Sequence, residues 1–300
     1  MLRLASVLVI VTVTCNATFA DEYPWKQPTF VEGKTISVED GEIYYECYGD
    51  PNNEPLLLVH GFSSTGRETW TPVIEEFSQK YRLIVPDLRG HGRSINRAGE
   101  FMHRRSALDI LALLEHLKIK RVQAMGVSSG GMTLIHMAME RPDCLEAMVL
   151  IGSTHNRNIK PAEPVDTPTV KQLLDDAGPW GGLRRLRPLH KHGKQQIRKM
   201  CKDFVALQSR TDDMAFAPDD LGKITARTLI VQGDRDAFFP VEAVLTMYRS
   251  IPDSYLWIVP WGGHVPIYKQ RVTFSETALG FLDRTWDYAD VDLNNPEGAY

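Results

Sequence analysis

The sequence predicts an α/β fold: a mostly parallel, doubly wound sheet flanked by helices. Three observations carry that prediction. Runs at 56–60, 83–86, 122–127, 147–151, 228–232 and 256–259 are too continuously apolar to alternate, and turn residues bound each of them. Strands of that kind are buried on both faces, as in a parallel sheet. Stretches of helical periodicity separate these runs, which implies βαβ units. Finally, a Gly-x-Ser-x-Gly pentapeptide, Gly126-Val127-Ser128-Ser129-Gly130, stands between an apolar run and a helix-like run. A serine placed there is forced onto a tight strand-to-helix turn with its hydroxyl exposed.

Each element has a local reason. Two short strand-like runs, 34–38 and 43–48, flank Glu39-Asp40-Gly41, a good hairpin turn. In 106–117, Leu108, Leu111, Leu114 and Leu117 recur at helical spacing, and in 241–250 Val244, Leu245 and Tyr248 share one face. Side chains at 126 or 130 would crowd the backbone of so sharp a bend, which explains both glycines. The helix that follows, through Glu140, points its partial positive end at the serine and favours an anion there. The pattern breaks over 153–223, which lacks strand-like runs, is rich in Pro and Gly early, and then turns helical and polar. A helical cap over the sheet's carboxyl edge, where such sheets bind ligands, is the expectation.

The ends differ from the body. Arg3 precedes an apolar stretch of Leu, Val and Ile, and Thr18-Phe19-Ala20 follows before Asp21. That is the build of a secretory signal peptide over 1–20, cleaved near Ala20, and the apolar run is short for a bilayer. Export to the periplasm or medium is expected, the alternative being an uncleaved amino-terminal anchor. The domain reading is therefore signal 1–20, core 21–152 and 224–286, cap 153–223, and a loose acidic tail 287–300. With 43% hydrophobic residues the chain is globular, and a net charge of −4 offers no electrostatic case for nucleic acid. Beyond the signal, Cys47, Cys144 and Cys201 are too few for a disulfide framework, and three buried thiols are expected. No Cys/His spacing suggests a metal.

A serine hydroxyl is a weak nucleophile at neutral pH and needs a base, usually a histidine oriented by a carboxylate. Candidates follow in the order Ser, Asp, His. The run 229–232 leads into Gly233-Asp234-Arg235-Asp236, with two acids, and 256–259 leads into a glycine-flanked His264. Both lie just past strand ends, the edge expected for Ser128.

Together these motifs resemble the α/β-hydrolase fold family over roughly 35–282. Leu58-Val59-His60-Gly61-Phe62 is similar to its His-Gly turn, and Asp87-Leu88-Arg89-Gly90-His91-Gly92-Arg93-Ser94 to its Asp-x-x-Gly-x-Gly-x-Ser loop. The 153–223 insertion, after the sixth strand, occupies the family's cap position. The resemblance implies Ser128 as nucleophile, His264 as general base and Asp236, rather than Asp234, as orienting acid. It implies an oxyanion hole of the Phe62 and Ser129 backbone N–H groups, and no cofactor. His60 is expected to support its turn, and Asp234 to cap backbone N–H groups. His91, His103, His116, His136 and His155 are read as structural, surface or packing residues. His190 and His192 are read as part of a solvated basic cap face, with attraction of anionic substrates or an anionic envelope surface as the sharper alternative. Met132, Trp180, Phe238, Phe239 and Trp261 are candidate lining for an apolar substrate pocket, with the Phe62 side chain. The expected activity is cleavage of a small carboxylic ester or lactone through an acyl-enzyme. A cofactor-free haloperoxidase or perhydrolase, or a carbon–carbon hydrolase, would share the triad, and a non-catalytic ligand-binding relative is the alternative of another class. Serine at the elbow, where the family's dehalogenases and epoxide hydrolases carry aspartate, argues against those two.

Overall fold

The computed structural model describes residues 30–160, 166–178, 181–210 and 212–285. The 1–20 segment, the 287–300 tail and Trp180 lie outside the described residues. In chain order the elements are β1 (Phe30–Val38), β2 (Gly41–Tyr48), β3 (Pro55–Val59), α1 (Gly66–Ser78), β4 (Arg82–Pro86), β5 (Ile95–Asn96), α2 (His103–His116), β6 (Val122–Val127), α3 (Ser129–Glu140) and β7 (Leu145–Ile151). Then come α4 (Val170–Leu174), α5 (Gly182–Leu186), α6 (Gly193–Ser209), α7 (Pro218–Leu221), β8 (Arg227–Gly233), α8 (Val241–Ser250), β9 (Ser254–Val259) and α9 (Arg271–Leu282).

Among the described residues the strands form one sheet in the order β1-β2-β4-β3-β6-β7-β8-β9, with β5 paired to β2. Every pairing from β4 through β9 is parallel; β1, β2 and β5 are joined antiparallel. The continuous apolar runs have a simple cause. Leu57, Val59, Ile84, Ala124 and Ile230 pack with α2, α3 and α8, whereas Leu56, Leu58, Val85, Met125 and Val231 pack with α1 and α9. Successive side chains of a strand point to opposite faces, so a sheet covered on both sides needs apolar residues at every position. β5 was not legible in the sequence, being two residues held by Gly41 and Glu42. It makes the cap follow the seventh strand rather than the sixth.

Two helix faces differ from the periodicity reading. Leu108 is 38% exposed, while Ala107, Ile110, Leu111, Leu113 and Leu114 are buried. In α8 the buried face is Ala243, Val244 and Met247, and Tyr248 is exposed. Two faces about 100° apart can each satisfy a 3.6-residue repeat, and only docking on the sheet selects one. Helix α3 has no solvent face over its first ten residues, since it is wedged between the sheet and α2.

The segment between β7 and β8 carries α4 to α7 with a small apolar cluster of its own: Leu173, Leu186, Ile197, Met200 and Cys201. It is latched to the loops after β3 and β4. The Gly92 N–H donates to His190 Nδ1 (2.9 Å), the Lys191 N–H to the Gly92 carbonyl (2.9 Å), and the Phe62 and Phe204 rings lie 5.3 Å apart. Those loops leave the carboxyl ends of their strands, so the helices sit on that edge. Cys47, Cys144 and Cys201 are free and buried. Among the described residues no helix is long and apolar enough to cross a membrane.

Candidate active site

β3 and β6 are parallel neighbours, with Val59 opposite Gly126. The chain leaves β3 for β4 on one side and later returns to β6 on the other. Loops leaving such a pair diverge and open a crevice at the carboxyl edge. Gly61, Phe62 and Ser128 emerge there together; a Cβ on Gly61 would stand 3.5 Å from the Ser128 Cβ.

Ser128 occupies the turn between β6 and α3 with φ 52° and ψ −116°. A non-glycine residue held there stores on the order of 1–3 kcal/mol and needs surroundings that over-determine it. The glycines supply closeness: a Cβ on Gly126 would fall 2.5 Å from the Gly131 nitrogen, and one on Gly130 2.2 Å from the Val59 carbonyl oxygen. The Ser128 N–H donates to Ile151 (2.7 Å), and its carbonyl accepts from the Met132 N–H (3.0 Å) and from Ser153 Oγ (3.0 Å). The residue is half-buried, its hydroxyl at the helix mouth.

Asp236 and His264 arrive from the loops after β8 and β9. His264 Nε2 lies 2.9 Å from Ser128 Oγ, and His264 Nδ1 lies 2.9 Å from Asp236 Oδ2. The carboxylate also accepts from the Phe238 N–H (2.8 Å), the Phe239 N–H (3.2 Å) and Gln232 Nε2 (2.9 Å). Burial pushes this carboxyl up, but the neighbouring His264 ring and these hydrogen bonds outweigh it and hold it below the usual carboxylate range. An ionised carboxylate only accepts, so Nδ1 carries a proton and Nε2 is left to accept from the serine. The two loops are stitched by backbone bonds, Arg235 N–H to Gly262 and Asp234 N–H to Val259. Asp234 does not reach His264: it lies 3.7 Å from the Arg235 guanidinium, and its buried Oδ1 has no partner among the described residues. The carboxylate that caps backbone N–H groups here is Asp236, not Asp234. Gln232, which the sequence did not single out, braces it from the end of β8.

Two backbone N–H groups beside the serine, those of Phe62 and Ser129, donate to no protein acceptor among the described residues. They are open donors in the two segments that meet at the Ser128 turn. His60 supports this turn, as expected: Nδ1 donates to the Gly61 carbonyl (2.6 Å) and Nε2 accepts from the Leu88 N–H (2.8 Å). Complete burial holds the ring neutral, its pKa pushed down to about 3.

A family model described as alpha/beta hydrolase fold matches residues 54–191. The chain has the α/β-hydrolase fold. Serine hydrolase BPHL of Mus musculus is 25% identical over 79% of this chain and 81% of its own length. The 2-hydroxy-6-oxo-6-(2'-aminophenyl)hexa-2,4-dienoic acid hydrolase of Metapseudomonas resinovorans is 24% identical over 78% of this chain and 86% of its own. Among solved structures, the 2-hydroxy-6-oxo-6-phenylhexa-2,4-dienoate hydrolase of Rhodococcus sp. strain RHA1 superposes with a TM-score of 0.71. It is 17% identical and covers 86% of this chain and 100% of that one.

The remaining candidate residues scatter. Phe238 and Phe239 flank the His264 ring, with centroids at 4.7 and 5.5 Å. Met132 is buried in the core on the α2–α3 side of the sheet. Trp261 does not line an apolar pocket: it is 81% exposed, with φ 54° and its ring under the Arg235 guanidinium at 5.2 Å. His190 is not on a solvated face but buried against Gly92, which pushes its pKa down to about 4.

His103 was read as a surface or packing residue, and Asp213 was not singled out. Both are buried and joined to Ser129, the residue after Ser128. His103 Nδ1 lies 2.6 Å from Asp213 Oδ2, and His103 Nε2 lies 3.1 Å from Ser129 Oγ. No local motif announces this contact, because its members lie 26 and 110 residues apart in the chain.

Proposed function

We propose that this protein is a serine hydrolase that cleaves a carboxylic ester, or lactone, of a small apolar substrate through an acyl-enzyme. The observation that carries this reading is the unbroken Ser128–His264–Asp236 chain of two 2.9 Å contacts at a strained elbow. His264 Nε2 takes the Ser128 proton as Oγ attacks the carbonyl carbon. Charge developing on the carbonyl oxygen is met by the two open N–H groups of Phe62 and Ser129. The imidazolium, held against Asp236, protonates the leaving alkoxide. The same ring then deprotonates a water that releases the acid and restores Ser128. Esters are favoured over amides because an alkoxide asks less protonation of the site than an amine. The rings of Phe62, Phe238 and Phe239 beside the site favour an apolar acyl or alcohol portion.

A second reading, hydrolysis of a carbon–carbon bond, is supported by relatives named for 2-hydroxy-6-oxo-dienoic acids. It uses the same nucleophile and base. The experiment is fluorophosphonate labelling with the adduct located by mass spectrometry, followed by turnover of p-nitrophenyl esters, lactones and a 2-hydroxy-6-oxo-dienoate. The adduct is expected on Ser128, and the fastest turnover on a short or medium acyl ester. Ser128→Ala is expected to lower kcat by about 10⁴-fold or more with an unchanged circular dichroism spectrum. Ester turnover retained in that variant overturns the serine mechanism, and dienoate cleavage faster than any ester overturns the substrate class.

A further inference from the structure

Ser129 is buried, 3% exposed, with its side chain turned away from the reaction toward His103. His103 opens α2 and is fully buried; Asp213 lies where the chain returns from the cap beside the end of β7. The Asp213 carboxylate is gripped from several sides. It accepts from His103 Nδ1 (2.6 Å) and from the backbone N–H groups of His103 (2.9 Å) and Arg104 (3.3 Å), and His136 Nε2 stands 3.6 Å away. Burial pushes this carboxyl up, yet the hydrogen bonds it accepts from His103 hold it far below the usual range. An ionised Asp213 keeps the proton on His103 Nδ1, so Nε2 accepts from the Ser129 hydroxyl. The chain of contacts has one direction: Ser129 O–H to His103, His103 N–H to Asp213.

The Ser128–Ser129 peptide is a rigid plane whose N–H points opposite its carbonyl. Its carbonyl end is fixed by the Met132 N–H and Ser153 Oγ, both at 3.0 Å. Its other end continues into Ser129, whose side chain is tied to His103 and whose own carbonyl accepts from Thr133 Oγ1 (2.8 Å). A plane pinned at both ends cannot swing, and the direction of the Ser129 N–H is set before any substrate arrives.

We propose that Asp213, His103 and Ser129 form a buried positioning chain that aims the Ser129 backbone N–H at the developing oxyanion. They are positioning residues, not a second catalytic triad. Asp213 leaves the cap at its return, so the same chain ties the seating of the cap to the geometry of the oxyanion hole. Pre-aimed donors act only on charge that appears in the transition state, so their loss lowers kcat and leaves substrate binding nearly unmoved.

The inference rests on the hydrolase reading, and the two fail separately. Turnover surviving Ser128→Ala defeats the reading, whereas full activity in Ser129→Ala, with Ser128→Ala inactive, defeats only this proposal. The test measures kcat, KM and inhibition by a trifluoromethyl ketone, whose hemiketal oxyanion mimics the transition state, in Ser129→Ala, His103→Gln and the double variant. Removing a whole oxyanion donor costs about 10²–10³ in kcat, so misaiming one is expected to cost about 10- to 100-fold. Ser129→Ala should lose ketone affinity by the same factor as kcat, with KM within about twofold. Ser129→Thr, which keeps the hydroxyl, should recover most of it. The double variant should be no worse than its worse parent, because both changes break one chain. If His103→Gln does not fold, the Ser129 pair decides alone. A kcat loss without loss of ketone affinity, additive losses, or a fluorophosphonate adduct on Ser129 in Ser128→Ala would each overturn the proposal.

Discussion

Two adjacent serines each meet a histidine that an aspartate holds, and the two assemblies differ mainly in burial. At Ser128 the histidine side chain is 23% exposed and the serine half-buried, on a turn whose φ of 52° pushes the hydroxyl outward. At Ser129 the imidazole and carboxylate are both 0% exposed, and the serine lies in the first turn of a helix packed on all sides. The donor and acceptor chemistry is the same. What separates the two serines is exposure, and a single residue step along the elbow decides that. A Ser-His-Asp constellation is therefore recognised by access and strain as well as by contact.

The comparison can be broken first at the carboxylates. Asp236→Asn is expected to lower kcat by about 10⁴-fold, because an amide donates to Nδ1 and traps the wrong imidazole tautomer; that magnitude is known from the chymotrypsin-type triad. Asp234→Asn should change kcat by less than about threefold, since Asp234 lies off the His264 chain. Equal losses, measured side by side on one p-nitrophenyl ester, would erase the distinction between the two acids.

Burial itself is the next target. His60, His155 and His190 are held neutral by burial, with pKa values down from 6.5 to about 3, about 4 and about 4. Each folded ring binds its proton more weakly than the same ring in the unfolded chain. The unfolded state therefore takes up more protons as pH falls below 6.5, and stability drops through the window down to about 4 and is constant above it in this respect. Tm should fall on acidification from pH 6.5 to 4.5, and His190→Gln should flatten that slope. An identical slope in the variant would show that the His190–Gly92 latch does not open with acid.

The smallest effect is expected at the exposed rim. Trp261 takes a left-handed backbone that asparagine tolerates better, against loss of an exposed cation–π contact worth about 0.5–1 kcal/mol. Trp261→Asn should therefore leave Tm within about 2 °C and KM for a short ester within about twofold. A tenfold rise in KM would restore Trp261 as a substrate contact.

Legibility followed sequence distance. Ser128, Asp236 and His264 were readable because each stands just past a strand, in a loop whose glycines record close backbone approach; a Cβ on Gly233 would fall 2.2 Å from the Gly262 carbonyl oxygen. The α/β alternation was readable because burying both sheet faces writes an apolar residue at every strand position. Helix faces were readable only to within about a quarter turn: Leu108 and Tyr248 share the apolar spacing of their helices and are exposed. His103, Asp213 and His190 carried no signal. A buried histidine and a surface one look alike in a sequence, since the desolvation and partners that distinguish them come from segments far away in the chain. The chain alone thus determined the layer order, the elbow and the strand ends that carry Ser128, Asp236 and His264, all of which depend on local pattern and backbone sterics. Tertiary structure decided which carboxylate meets His264, which N–H groups stay open, and which of two neighbouring serines is the more exposed, because access and polarity at a site are properties of everything packed around it.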